Sequence, residues 1–178
     1  MRTITRATLA LTGAAALTLF AVVPANAVDT VTVAIEVGDL AIVTDALGAA
    51  LADATPGAPI VGTITGVAVT DARATTGVWA VSVNATAFVN EETPASSASM
   101  TGAGITYTVG EIVETGAPVI TNVTPDVVLA VAPAEVATAT VAGNNTATWD
   151  ADLSVAVPLG ALGGTYSTTI THSILPQP

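Results

Sequence analysis

The chain of 178 residues contains no cysteine, no lysine and a single histidine, His172. The absence of cysteine excludes disulfide bonds, and together with the lone histidine it excludes a tetrahedral zinc site. The absence of lysine also excludes Lys–Asn isopeptide cross-links. Because histidine, cysteine and lysine supply most general bases and activated nucleophiles near neutral pH, we expect a protein that is not an enzyme.

Long hydrophobic runs are also missing, with one exception near the N-terminus. Arg2 and Arg6 flank the start of an apolar stretch at residues 7–23, which is followed by the small-residue triplet Ala-Asn-Ala at residues 25–27. This layout is typical of a secretory signal peptide that is cleaved after the triplet. A membrane anchor is the alternative, but the stretch is barely long enough to span a bilayer and has no basic residue on its far side. We therefore expect export, no membrane anchor after processing, and one domain at residues 28–178.

Positive charge is scarce in the predicted mature chain. This part of the sequence carries all fourteen acidic residues but only one basic residue, Arg73, which gives a formal net charge of −13. Such a charge opposes binding to nucleic acids and anionic lipids, and it favours neutral or cationic partners or divalent cations as bridges. The sequence indicates no cofactor.

The mature chain contains a series of short segments in which apolar and polar residues alternate. In the clearest segment, GVWAVSVNATAF at residues 77–88, Trp79 shares one face with small apolar residues, and the other face carries serine, asparagine and threonine. A second tryptophan, Trp149, begins a similar segment with Asp150 and Asp152 on the opposite face. Alternation with period two is the pattern of half-buried β-strands. The segment around Trp79 therefore predicts the central strand of the fold.

Other segments with the same pattern predict an all-β protein. Further strands are expected at residues 31–37, 60–69, 105–109, 119–123, 127–131, 136–142, 148–157 and 165–175. The last two are expected to form a hairpin, and the continuous apolar run at residues 127–131 suits a strand covered on both sides. Residues 44–54 predict a loop in which a short helix fits, and residues 91–104 predict an exposed loop. The result is an antiparallel β-sandwich of about nine short strands, with no long helix in the mature chain.

Four residues are candidates for binding. Trp79 and Trp149 are core anchors if they point inward and platforms for stacking on sugar rings if they point outward; apolar neighbours on the same face favour the inward orientation. Asp150 and Asp152 project together from one strand face, where they are either solvated acids or a pair that shares a calcium ion or accepts sugar hydroxyls. His172 is interpreted as a half-exposed strand histidine rather than as a ligand or a base.

Several stretches resemble the WxL-type surface proteins of Gram-positive bacteria. They are residues 66–73, 77–88, 155–158 and 164–174. The resemblance implies noncovalent attachment to cell-wall peptidoglycan, display on the cell surface and no catalysis. The positions that match the tryptophan motif of the family are Trp79 and Trp149, which here read Trp-Ala-Val and Trp-Asp-Ala instead of Trp-x-Leu.

The sequence thus predicts a secreted, non-enzymatic protein that associates noncovalently with the bacterial cell wall. Its expected partner is peptidoglycan or another neutral glycan, with other surface proteins as further partners. The alternative is a released adhesin or carbohydrate-binding β-sandwich module, which wall fractionation would distinguish. A third class, a polymerising or strand-exchanging subunit, requires a lysine for covalent linkage, which is absent, or an unpaired terminal strand.

Overall fold

The computed structural model describes residues 32–45, 49, 51–116, 118–122 and 125–177. The predicted signal peptide, residues 1–27, and its cleavage site lie outside these residues. Contacts within the chain divide it into two units, Met1–Ala34 and Ile35–Pro178. The described residues of the first unit, 32–34, are exposed and belong to no strand. The fold given below is that of the second unit.

Within the described residues the protein is all-β, as predicted, with twelve strands, one 3₁₀ helix at Pro94–Met100 and no long helix. The strands are β1 (Leu40–Val43), β2 (Pro59–Asp71), β3 (Thr76–Ala85), β4 (Val89–Asn90), β5 (Ile105–Val109), β6 (Val113–Thr115), β7 (Val119–Asn122), β8 (Asp126–Leu129), β9 (Ala134–Ala142), β10 (Asn145–Ala156), β11 (Tyr166–Ser167) and β12 (Ile170–Gln177). Strands β4, β6 and β11 have two or three residues each, which is too short for alternation to reveal them. None of the described helical residues forms a segment that is long and apolar enough to cross a membrane.

The strands form two antiparallel sheets and one small ladder. Sheet 1 has the order β1-β2-β10-β5-β8, with β6 also paired to β10, and sheet 2 has the order β12-β3-β9-β7. Strands β4 and β11 pair with each other. A single core of buried side chains from both sheets lies between them, as in a sandwich. The two tryptophan strands lie in opposite sheets, so Trp79 and Trp149 enter this core from opposite sides.

The core consists mainly of alanine and valine, and the few large side chains supply much of its volume. Along β10 the inward positions are all buried: Ala147, Trp149, Ala151, Leu153 and Val155. The largest fully buried side chains are Trp79 and Tyr107. Burying one tryptophan removes about 200 Å² from water, a gross contribution of about 5 kcal/mol before conformational entropy is subtracted. Loss of either tryptophan is therefore expected to be costly.

A bulge interrupts the pairing of β2 with β10 at Gly66. The register shifts between Trp149 and Ala151, and Gly66 has a φ of +65°, in the left-handed region that favours glycine. A Cβ atom at this position would also lie 2.8 Å from the carboxylate of Asp45. Glycine therefore permits both the bulge and the close approach of Asp45 at this point of β2.

The first predicted strand, residues 31–37, is wrong in the part that the structure describes. Its alternating residues Val33, Ile35 and Val37 are exposed and belong to no strand. Pairing with β2 begins at Leu40, whose partner is Asp71, the last residue of β2. Backbone hydrogen bonds from Gly38 to Ala72 and from Ala72 to Asp39 continue the contact one residue beyond β2, and no described strand pairs with residues 32–37.

The predicted C-terminal hairpin is also wrong. Strand β10 belongs to sheet 1, where it pairs with β2, β5 and β6, whereas β12 pairs with β3 in sheet 2. The connection between β10 and β12 therefore crosses from one sheet to the other. Alternation indicates which residues of a strand face inward, but it does not indicate the sheet to which the strand belongs.

Two smaller predictions need correction, and a third is partly described. Strand β8 is an edge strand with Val128 exposed, so the run at residues 127–131 is covered on one side rather than on both. The predicted exposed loop at residues 91–104 contains the 3₁₀ helix and buries Met100. The described residues of the predicted loop at 44–54 contain no helix.

Candidate functional site

The first tryptophan, Trp79, lies on β3 and is 0% exposed. Its indole Nε1 donates a hydrogen bond to Oδ1 of Asn145 on β10, at 3.3 Å. Asn145 is also buried, and its Nδ2 donates to the carbonyl oxygen of Gly143 at 3.0 Å. Because Trp79 belongs to sheet 2 and Asn145 to sheet 1, this hydrogen bond ties the two sheets together across the core.

An ion pair adjoins this bond. Asp71, the strand partner of Asn145, is buried and accepts hydrogen bonds from the backbone N of Arg73 at 3.1 Å, from its Nε at 2.9 Å and from its Nη2 at 2.8 Å. The Arg73 side chain holds the pKa of Asp71 below its usual range, and the Asn145 side chain acts in the same direction. The one basic residue of the predicted mature chain therefore neutralises a buried carboxylate.

The second tryptophan, Trp149 on β10, takes part in another polar chain across the core. Its Nε1 donates to the hydroxyl oxygen of Tyr107 on β5 at 3.2 Å. The same hydroxyl lies 3.0 Å from Nε2 of His172 on β12, and the two rings are tilted with their centroids 5.6 Å apart. The Tyr107 hydroxyl therefore links Trp149 in sheet 1 to His172 in sheet 2.

Burial sets the protonation states of this chain. It lowers the pKa of His172 to about 4 and raises the pKa of Tyr107 to about 12. Both groups are therefore neutral at physiological pH. His172, predicted to be half-exposed, is partly buried, and its ring is positioned by the hydrogen bond to Tyr107.

The burial of both tryptophans decides between the two orientations considered for them. Trp79 is 0% exposed and Trp149 is 3% exposed, so the inward prediction is confirmed. Both indole N–H groups are also bonded inside the core. Stacking on a sugar ring needs an exposed ring face, so the assignment of Trp79 and Trp149 as binding residues is corrected: their placement is that of core anchors.

The carboxylates of Asp150 and Asp152 lie exposed on the outer face of sheet 1, where each contacts β2. Oδ1 of Asp150 accepts from the backbone N–H of Gly66 at 2.9 Å, and Oδ1 of Asp152 accepts from the hydroxyl of Thr63 at 3.0 Å. Calcium takes six to eight oxygen ligands, far more than this pair provides. Within the described part of the chain, no group of three or more histidine, cysteine, aspartate or glutamate side chains is placed to hold a metal ion.

A cleft opens between the sheets where the edge strand β12 faces β2 across the core. It comprises two adjoining recesses of about 170 Å³ and about 630 Å³. Core residues Ile64, Leu153 and Val155 line the smaller recess, and Ile170 and His172 line it from β12. The cleft therefore opens the apolar core to solvent, and it reaches His172, the last residue of the hydrogen-bonded series that begins at Trp149.

Phe88 borders both recesses, and hydroxyl groups lie at the rim of the larger one. The hydroxyl of Tyr166 donates to the carbonyl oxygen of Leu162 at 2.9 Å and lies 2.9 Å from the hydroxyl oxygen of Ser99. Thr168 also lines both recesses. The cleft thus combines an apolar floor and one aromatic ring with hydroxyl groups at its rim, a composition suited to ligand binding.

Asn90 supports this rim from beneath. Its Oδ1 accepts from the backbone N–H groups of Glu92 at 3.0 Å and Thr93 at 2.7 Å, and its own backbone N–H donates to the hydroxyl of Ser97 at 2.8 Å. Its Nδ2 is buried and has no hydrogen-bond partner among the described residues. A side chain at Gly164 would overlap with this Nδ2, and glycine allows the rim to pass over it.

The outer faces of the two sheets differ in charge. On sheet 1 a row of paired residues consists of Thr63, Asp152, Thr108 and Asp126, and the hydroxyls of the threonines donate to the carboxylates. Asp150 adds a third acid to this face. On the described outer face of sheet 2 the residues are mainly serine, threonine, asparagine and small apolar residues, with Glu135 as the one acid. The negative field of the sandwich is therefore stronger on sheet 1.

Sequence reasoning missed Tyr107, Asn145 and Phe88, which the tertiary structure brings to the two tryptophans and to the cleft. The sequence does contain an indication for Tyr107 and Asn145. Each carries a polar group at an inward position of a strand or at its start, and a buried polar group needs a hydrogen-bond partner. Phe88 has no comparable signal, because its role depends on a cleft formed by segments far apart in the chain.

Comparison with known proteins gives no family for this chain. No protein-family model, no curated protein and no solved structure matches it.

Proposed function

We propose that this protein is a secreted, non-enzymatic surface protein that binds a neutral component of the cell wall, a glycan strand or stem peptide of peptidoglycan, in the cleft between the sheets. The observation that carries the proposal is the cleft itself, with its apolar floor, the ring of Phe88 and the hydroxyls of Tyr166 and Thr168. This composition suits a neutral ligand with apolar faces and hydroxyl or amide groups.

The chemistry of the cleft favours binding over catalysis. His172 is the one described lining residue that titrates near neutrality in water, but burial keeps it neutral and the Tyr107 hydroxyl occupies its Nε2. The carboxylate of Asp45 accepts a hydrogen bond from the hydroxyl of Thr65 at 2.9 Å. Within the described lining no nucleophile lies beside an available base, so the arrangement supports a binding module.

The charge distribution suits a neutral ligand as well. A formal charge of −13 repels anionic wall polymers, so attraction must come from short-range contacts. The acids of sheet 1 lie on its outer face and not on the floor of the cleft. The resemblance of residues 77–88 and 164–174 to WxL-type surface proteins supports the same location at the wall.

Binding of the exported protein to purified sacculi tests the proposal. Leu162 and Leu159 lie in the same connection and are both exposed, but of the two only Leu162 lines the cleft, so they form a matched pair. We expect Leu162→Ala and Phe88→Ala to weaken binding at least about tenfold, while Leu159→Ala leaves it unchanged. Thermal unfolding of each variant verifies the fold. Equal binding by all three variants would place the contact elsewhere on the molecule.

Salt and a chelator distinguish short-range contacts from calcium bridges. Raising sodium chloride should leave binding to sacculi unchanged or strengthen it by screening repulsion, and a chelator should have no effect. Abolition by the chelator would favour ions bridged by Asp150 and Asp152. Binding to soluble glycans without retention on sacculi would favour a released carbohydrate-binding module.

A further inference from the structure

The hydroxyl of Tyr107 has to find an acceptor for its proton inside the core. Tyr107 is 0% exposed, and its described hydrogen-bond neighbours are Nε1 of Trp149 at 3.2 Å and Nε2 of His172 at 3.0 Å. An indole N–H group only donates, so it cannot accept this proton. A buried hydroxyl proton that is left without an acceptor is costly. The hydroxyl of Tyr107 therefore donates to Nε2 of His172.

This hydrogen bond fixes the tautomer of His172. An imidazole nitrogen that accepts a hydrogen bond carries no proton, so the proton of the neutral ring lies on the other nitrogen, Nδ1. Burial keeps the ring neutral at physiological pH by lowering its pKa to about 4. Tyr107 is thus a positioning residue, which holds the ring of His172 with an N–H donor at Nδ1.

The Nδ1–H group is accessible from the smaller recess. His172 and Ile170 lie on the inward face of β12 and line this recess, whereas Tyr107 does not line it. Nδ1 lies across the ring from Nε2, so it is directed away from Tyr107. Among the described residues no hydrogen-bond partner meets Nδ1, and the buried side-chain atom without a partner is Nδ2 of Asn90. Nδ1 of His172 is therefore open to solvent and offers its proton to the recess.

Apolar side chains surround this donor. Ile64, Leu153 and Val155 of sheet 1 line the recess, together with Ile170 and the ring of Phe88. A donor in such surroundings is best matched by an acceptor that brings no proton of its own, because every further polar group in an apolar recess needs a partner. A carbonyl oxygen meets this condition, whereas a ligand hydroxyl carries a proton that needs an acceptor in turn.

The charges at the recess disfavour a carboxylate as the acceptor. Asp45 also lines the recess, and the one basic residue of the predicted mature chain, Arg73, is paired with Asp71. The hydroxyl of Thr168 gives its proton to the carbonyl oxygen of Thr86 at 2.7 Å, so it can only accept further hydrogen bonds. A neutral amide has the matching groups, since its carbonyl accepts from the imidazole and its N–H group donates to an oxygen.

We propose that the smaller recess binds a neutral secondary amide with a small apolar substituent, such as an acetamido group, and that His172 selects it by donating Nδ1–H to the carbonyl oxygen. The substituent packs against the apolar walls of the recess. This inference rests on the proposed function, because it names the group of the wall component that the cleft binds. Acetamido sugars and peptides both carry such an amide, so experiment has to separate the two sources.

The tautomer is tested first, without a ligand. His172 is the single histidine of the chain, so nitrogen-15 NMR of the imidazole reports on this ring alone. In the exported protein at neutral pH, Nδ1 should be protonated and Nε2 should not. Tyr107→Phe removes the donor to Nε2, so its ring should also populate the tautomer with the proton on Nε2. A wild-type ring with its proton on Nε2 would overturn the proposal.

Two soluble amides test the ligand class and its source. N-acetylglucosamine represents the glycan and N-acetylalanine methylamide the peptide, whereas glucose is the control without an amide. At least one of the amides should shift the ring signals of His172, and glucose should not. A shift by one amide alone supports the proposal and names the source. Equal shifts by glucose, or none from either amide up to about 100 mM, would overturn it.

Variants of β12 test the role of His172. His172→Met keeps a side chain of similar length with a weak acceptor for Tyr107 but has no donor, so it should bind the amide probe at least about fivefold more weakly. Ser173→Ala, exposed on the opposite face of β12, should bind like the wild type. Thermal unfolding verifies the fold of both. Equal affinity of His172→Met and the wild type would contradict donation from Nδ1.

Tyr107→Phe gives a second test that leaves the lining of the recess unchanged. Its affinity for the amide probe should fall in proportion to the fraction of the ring that carries its proton on Nε2. Full affinity in a variant whose ring has changed tautomer would show that the amide is bound without Nδ1–H, and it would overturn the proposal.

Sacculi separate this inference from the proposed function. Both His172→Met and Leu162→Ala should weaken binding of the exported protein to sacculi. Loss of binding in Leu162→Ala but not in His172→Met would overturn amide recognition and leave the cleft as a wall-binding site. Binding of an amide probe at His172 without retention of the wild-type protein on sacculi would support amide recognition and contradict wall binding.

Discussion

The two tryptophans of this sandwich make the same kind of contact and end in different surroundings. Trp79 donates its indole N–H to Asn145, beside the ion pair of Asp71 and Arg73, at the end of β2 where β1 pairs with it. Trp149 donates to the hydroxyl of Tyr107, which is also hydrogen-bonded to the neutral His172 at the cleft. We call these two sets of contacts the bridge at Trp79 and the bridge at Trp149. The first adjoins a buried ion pair, whereas the second consists of neutral groups and ends at the cleft.

The difference separates stability from function within one core. The bridge at Trp79 adjoins the Asp71–Arg73 ion pair, and none of these residues lines the cleft. The bridge at Trp149 supports the wall of the cleft, and its last member, His172, lies on the edge strand β12 and lines the smaller recess. Substitutions at the first bridge should therefore act on folding alone, and those at the second should act on both folding and the cleft.

The largest effect is expected from Trp79→Ala. It removes the largest fully buried side chain and should lower the free energy of unfolding by about 3–5 kcal/mol. Trp79→Phe retains most of the apolar contact but leaves Oδ1 of Asn145 without its donor, so it should cost about 1–2 kcal/mol. Urea unfolding followed by circular dichroism measures both. A loss below about 1 kcal/mol for the alanine variant would contradict the placement of this ring in the core.

Removal of the ion pair should come next. Asp71→Ala leaves the Arg73 guanidinium and its backbone N–H without their acceptor and should cost about 3 kcal/mol near neutral pH. Since the pKa of Asp71 is lowered in the fold, this contribution is present above the unfolded value of 3.8 and is lost as the pH falls through the folded pKa.

Asp152→Ala is the matched control for this prediction, because its carboxylate is exposed and bonded to one hydroxyl. We expect its cost to be about 0.5 kcal/mol or less. Chemical denaturation of both variants across the acid range makes the comparison. Equal costs for the two substitutions would mean that the Asp71–Arg73 pair adds nothing to the stability of its end of the core.

The smallest effect is the pH dependence carried by His172. Its folded pKa of about 4 lies below the unfolded value of 6.5, so between these values the unfolded chain binds the proton first and the fold loses stability as the pH falls. From about pH 7 to about pH 5 the free energy of unfolding should decrease by about 2 kcal/mol from this group. His172→Gln keeps a polar partner for Tyr107 without titrating, and its profile should lack this decrease. A wild-type profile that is flat in this window would contradict the burial of the histidine.

The strands and their inward faces were largely predictable. The alternation of apolar and polar residues around Trp79 and Trp149 predicted the burial of both rings, because the apolar face of a half-buried strand faces the core. The predictions failed at pairing: residues 32–37 have the alternation of a strand but belong to none of the described strands, and β10 and β12 lie in different sheets instead of forming a hairpin.

By itself, the sequence determined the all-β class, the inward faces of the long strands, the strong negative charge and the absence of disulfide and zinc chemistry, because these follow from residue types and local periodicity. Tertiary structure alone decided that Tyr107 and His172 complete the Trp149 chain, that Asn145 receives Trp79, and that Phe88 borders a cleft. The hydrogen bonds among these contacts join residues that are 42 to 66 positions apart: 42 for Trp149 with Tyr107, 65 for Tyr107 with His172 and 66 for Trp79 with Asn145. Local patterns contain no information on such distances, because sheet order depends on which edges meet when the whole chain has collapsed.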